Sequence, residues 1–68
     1  MKSVTGKELG KILERNGWVL LRMQGSHHIY GREGSKIRIS VPMHAGKTLK
    51  KGVVRHVLGL AGLCEGDL

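Results

Sequence analysis

A chain of 68 residues makes one small domain that buries only about 60% of the surface its unfolded state exposes, so its core must come from few elements. Twelve Lys and Arg against five Asp and Glu leave a net charge of +7, a balance that points to nucleic acid phosphate, an acidic protein or an anionic surface as partner. Trp18 and Tyr30 are its only aromatics, too few for a binder that stacks several bases, and the single Cys64 excludes an intrachain disulfide and suits a reducing cytosol.

Taken in order, Val4-Thr5-Gly6-Lys7-Glu8-Leu9 reads as a helix start. Thr5 caps, Glu8 completes a capping box, and Leu9, Ile12 and Leu13 follow at helical spacing. Asn16-Gly17 is a stop, which predicts a first helix over Gly6 to Arg15. No signal-peptide pattern opens the chain and no apolar run approaches the roughly 18 residues of a membrane span, so a cytoplasmic location away from membranes is expected. Trp18 to Met23 is rich in strand formers and predicts a first strand. Gln24-Gly25-Ser26 makes a tight connection to a second strand over His27 to Arg32. After a turn at Glu33-Gly34-Ser35, Lys36 to Val41 alternates as a third strand, with Ile37, Ile39 and Val41 facing the core and Pro42 ending it. Met43 to Leu49 is a loop. Val53, Val54, Val57, Leu58 and Ala61 then share one face of a second helix, about Lys50 to Leu60, and Glu65 to Leu68 reads as a frayed tail.

The order α-β-β-β-α without a linker predicts one α+β domain over residues 1–68. A three-stranded antiparallel sheet cannot bury its apolar face alone, so both helices are expected on one side of it.

The chemistry concentrates in Gly25-Ser26-His27-His28-Ile29-Tyr30. If Ile29 faces the helices, strand alternation puts His27 on that side, at the rim of the core, and His28 with Tyr30 on the other. Imidazole, with an ordinary pKa of about 6.5, carries protons near neutrality. RNA cleavage without a metal needs a base for the 2′-OH proton and a cation for the phosphorane charge, which a histidine with lysines or arginines supplies. Gly25 lets backbone amides approach a phosphate closely. Adjacent strand residues point to opposite faces, so His27 and His28 do not share one ion, and no cysteine or carboxylate spacing resembles a zinc site. His44, in the loop, is a further candidate for phosphate contact, whereas His56 reads as a surface residue of the second helix.

Gly25-Ser26-His27-His28-Ile29-Tyr30, then Ile39-Ser40-Val41-Pro42-Met43-His44, then Gly46-Lys47 and Lys51-Gly52 before a helix ending Ala61-Gly62-Leu63, resemble the HicA-type mRNA interferase toxins. Gly17-Trp18 after an amphipathic helix fits as well, and the resemblance spans about residues 5 to 63. It implies a double-stranded-RNA-binding-domain-like αβββα fold and a metal-independent, ribosome-independent endoribonuclease that needs no cofactor and inactivates mRNA. It also implies a HicB-type antitoxin that blocks the active site, with operator DNA reached only through that antitoxin. The family's catalytic histidine follows its Gly-Ser or Gly-Gly pair directly, which carries onto His27, and its glycine onto Gly25. Members with the histidine one step later would put it at His28. On this reading Gly25 and Ser26 shape the pocket, and Lys47, Lys50, Lys51 and Arg55, with His44, hold the RNA backbone near a helix N-terminus.

The alternative reading is a noncatalytic module that grips duplex RNA by shape, through phosphates and 2′-hydroxyls. A DNA-binding role fits less well, because two helices flanking three strands do not make a helix-turn-helix.

Overall fold

The computed structural model describes residues 1–68. Its elements are α1 (Gly6–Arg15), β1 (Val19–Gln24), β2 (His27–Gly31), β3 (Ile39–Pro42) and α2 (Lys51–Ala61). The strands form one antiparallel sheet in the order β1-β2-β3. This is the expected α+β, αβββα arrangement.

The capping box forms as the sequence predicts. The Thr5 N–H donates to the Glu8 carboxylate (2.9 Å) and the Glu8 N–H to the Thr5 hydroxyl (3.2 Å). Leu9, Ile12 and Leu13 are buried. The helix ends where the Asn16 side-chain amide donates to the Ile12 carbonyl (2.8 Å) and Gly17 turns the chain at φ 89°. Trp18 stands just before β1 rather than in it, and its ring is buried in the core with the Arg32 guanidinium 4.4 Å from the ring centroid.

Gln24 pairs with His27 across the two-residue Gly25-Ser26 turn, where Gly25 has φ 60°. A glycine with positive φ in the first central position matches the twist of a tight hairpin. A bulge at Leu21 then shifts the β1 register between Leu20 and Arg22. β3 is shorter than its alternation suggests. The Ile37 N–H donates to the Ser35 hydroxyl (3.1 Å), and the Arg38 guanidinium donates to the carbonyls of Ser35 and Ile37. These local bonds hold residues 35–38 off the ladder, so Ile37 is exposed instead of facing the core.

Leu9 and Leu13 of α1, Tyr30, Ile39 and Val41 of the sheet, and Val54, Val57, Leu58 and Ala61 of α2 belong to one core cluster with Val4 and Trp18. Residues directly opposite in an antiparallel pair share a face. Tyr30 pairs with Ile39 and His28 with Val41, and Tyr30, Ile39 and Val41 are all buried. His28 therefore lies on the helix-facing side, and His27 and Ile29 lie on the outer side. This reverses the parity expected from placing Ile29 inward. The strand spends its inner position on the larger side chain, Tyr30, and Ile29 is left half-buried on the outer face.

The C-terminus is not frayed. Glu65–Asp67 forms a 3-10 turn in which the Asp67 carboxylate accepts from the Cys64 N–H (2.8 Å), and Leu68 packs against the core. No helix is long and apolar enough to cross a membrane.

The bonds from the Thr5 backbone and hydroxyl hold the Glu8 carboxyl below its ordinary pKa of 4.5. Its stabilising contribution is therefore fully present above pH 4.5 and is lost as pH falls through the lower, folded value. Thr5→Ala is expected to cost about 1 kcal/mol in urea unfolding at neutral pH and to flatten this part of the acid-side decline in stability.

Candidate functional site

α1 lies close on the sheet because two of its residues, one turn apart, lack side chains. A Cβ at Gly6 would run into the Pro42 carbonyl, and one at Gly10 into the Tyr30 hydroxyl. Both glycines are buried. Gly10 thus seats the tip of Tyr30 beneath the helix, at some cost in helix propensity.

Beside this contact a groove of about 760 Å³ opens between α1 and the loop after β3, within the size range of ligand-binding clefts. From α1 it is lined by the Thr5 cap and by Lys7, Lys11 and Glu14, which recur at helical spacing on one face. The sheet supplies Leu20, His28 and Tyr30, and the loop supplies Met43, His44, Ala45 and Gly46. His28 is half-buried, while Lys7, Lys11 and His44 are exposed. The loop is pinned at both ends. The Met43 N–H donates to the Ser26 carbonyl (2.6 Å), and the Leu49 N–H to the Val4 carbonyl (2.8 Å). Burial, with the Glu14 carboxylate as a lesser cause, holds the Tyr30 phenol above its ordinary pKa of 10.0, so it stays a neutral hydroxyl at the groove floor.

The residues singled out from the sequence are spread over several places. His28 and His44 both line the groove. His27 is exposed on the outer face, paired with Gln24 and Pro42. Gly25 and Ser26 form the exposed hairpin tip, with the Ser26 carbonyl committed to Met43. Lys50 and Lys51 stand exposed at the start of α2 and Lys47 just before it, none of them lining the groove. Arg55 is turned to Glu65 in an exposed ion pair of 3.4 Å. No three His, Cys, Asp or Glu side chains cluster as a metal site.

Sequence reasoning missed Lys7, Lys11 and Glu14 as groove residues, because polar positions around an amphipathic helix read as its solvated side. The signal that could have found them is the glycine pair at positions 6 and 10. It marks where this helix lies flat against its neighbour, and hence which polar flank borders the sheet.

The chain matches the HicA toxin of bacterial toxin–antitoxin systems over residues 6–63. It belongs to the HicA toxin family. That match covers all five main elements, α1 through α2, and identifies this HicA-family chain as the toxin of a toxin–antitoxin pair. A search of curated proteins finds no match.

Two outcomes test the seat of Tyr30. Alanine normally favours a helix by about 1 kcal/mol over glycine, yet Gly10→Ala is expected to destabilise this chain by about 1–3 kcal/mol, because Tyr30 must move; denaturant unfolding measures the difference. As the only tyrosine, Tyr30 also reports alone in a phenolate absorbance titration. Its midpoint should lie above pH 10.0 in the folded protein and return toward that value in denaturant. Stability tied to the neutral phenol is present below pH 10.0 and lost as pH rises through the folded midpoint.

Proposed function

We propose that this HicA-family toxin is a metal-independent, ribosome-independent endoribonuclease that cuts mRNA in the cytoplasm, with His28 as the general base. The observation that carries the reading is that His28, Lys7 and Lys11 line one groove. A histidine there can take the 2′-OH proton of a bound strand, and the ammonium groups hold the phosphate and the charge it gains in the transition state.

The family pattern, carried onto this chain, admits His27 or His28. His28 is favoured because a base must reach the same phosphate as the cations, and His27 stands on the opposite face of the sheet. Gly25 and Ser26 act through the backbone by closing the hairpin and tethering the loop at Met43. Lys47, Lys50 and Lys51, outside the groove, hold the flanking RNA backbone by charge.

The antitoxin that neutralises this toxin is proposed to be of the HicB type and to act by covering the groove. A net charge of +7 favours an acidic surface on that partner.

The test compares His28→Ala and His27→Ala for growth arrest on expression and for RNA cleavage with EDTA present. His28→Ala is expected to lose cleavage by about 10²–10⁴-fold and to be harmless, while His27→Ala stays toxic. The converse pattern would move the base to His27. Salt-sensitive RNA binding by the wild-type protein with no cleavage of any RNA would instead establish the noncatalytic module.

A further inference from the structure

Cleavage of RNA by its own 2′-hydroxyl needs two proton transfers, one from the attacking oxygen and one to the departing oxygen. The ribonuclease reading above assigns the first to His28. The groove holds four other groups able to exchange protons by type, namely Lys7, Lys11, Glu14 and Tyr30, and one other histidine, His44.

We infer that His44 is the second proton carrier, the general acid that protonates the leaving 5′-oxygen while His28 takes the 2′-OH proton. The inference rests on the ribonuclease reading and specifies how the same groove completes the reaction.

Three observations support it. His44 lines the groove from a different element than His28, the loop after β3 rather than β2, so the two histidines border it from separate parts of the fold. The position of His44 is also held by the backbone. Its carbonyl accepts from the Lys47 N–H (3.0 Å) in a turn where Gly46 takes φ 72°, and this turn lies between the Ser26–Met43 and Val4–Leu49 bonds. A proton carrier must be held near its target, and a pinned turn does this where a free loop would not. Third, the other two histidines lie elsewhere: His27 is on the outer face, and His56 is on an exposed position of α2 outside the groove.

The other groups in the groove suit other tasks. An ordinary ammonium, near pKa 10.4, gives up its proton too reluctantly to be matched to transfer near neutrality, whereas an imidazole is well matched. Lys7 and Lys11 are left to hold the phosphate. Tyr30 keeps its proton. Glu14 sets an acidic side chain beside the two lysines.

The step balances without water or metal. The neutral imidazole of His28 accepts the 2′-OH proton as O2′ bonds to phosphorus. The P–O5′ bond breaks with its electron pair on O5′, and O5′ takes a proton from the His44 imidazolium. The products are a 2′,3′-cyclic phosphate and a 5′-hydroxyl end. The cycle closes when His28 returns its proton to solvent and His44 takes one up.

The experiment uses an RNA oligonucleotide that the wild-type protein cuts, and the same oligonucleotide with sulfur in place of the 5′-bridging oxygen at the cut linkage. A thiolate leaves without being protonated. His44→Ala, a change on an exposed loop, should keep the wild-type circular dichroism and melting profile. It should cut ordinary RNA about 10²–10⁴-fold more slowly yet cut the sulfur-containing strand within a few-fold of wild type. His28→Ala should fail on both strands, and His56→Ala on neither. The inference is overturned if His44→Ala cuts ordinary RNA at nearly the wild-type rate. It is overturned equally if its loss is the same on both strands, which would mark His44 as a phosphate contact. If wild type cuts no RNA at all, the ribonuclease reading itself fails and this inference with it, a result distinct from a defect confined to His44→Ala.

Discussion

The seating of Tyr30 under Gly10 is the contact on which the rest of this structure depends. A ring of that size at the inner position of the central strand can be buried only if the helix above it gives way, and α1 does so with a glycine. Gly6, one turn earlier, lets the same helix lie against the carbonyl at the end of β3. Together they set the height and line of α1 on the sheet. Once Tyr30 is inside, the pleat leaves no freedom for its strand neighbours, because successive side chains alternate between faces. His28 goes inward with Tyr30, and His27 goes outward with Ile29.

That geometry divides the molecule's charges. One set, Lys7 and Lys11 with the neighbouring Glu14, borders a concave site with two histidines. The other, Lys47, Lys50 and Lys51, is exposed around the start of α2. Fixed charge in a concave site with low-dielectric walls is felt more strongly than the same charge on an open helix. The loop between β3 and α2 joins the two sets, and its tether to the hairpin tip ties the Gly-Ser turn to the placement of His44.

The outer face of the sheet has a different character. Val19 and Leu21 are exposed there, Ile29 is half-buried, and Arg22, Arg38 and Ser40 lie beside them. The bulge at Leu21 turns both Leu21 and Arg22 to this side, which breaks the regular alternation of β1. A bulged, arginine-bearing edge resists indiscriminate pairing with other strands.

The amino-acid sequence by itself determined the element order, the capping box at Thr5 and Glu8, the helix stop at Asn16-Gly17, the hairpin at Gly25-Ser26 and the family. These depend on local spacing and on residues that act on their immediate neighbours, so they can be read without knowing what lies across the fold. Tertiary structure alone decided which face of β2 turns inward, that Ile37 leaves the ladder, that the tail docks, and that α1 rather than α2 contributes the cations of the groove. The parity of β2 shows the reason most clearly. Ile29 and Tyr30 are both acceptable core residues in isolation, and a strand's own sequence does not say which one it will bury. That choice belongs to the space above the sheet, and here the space is made by a glycine twenty residues earlier in the chain.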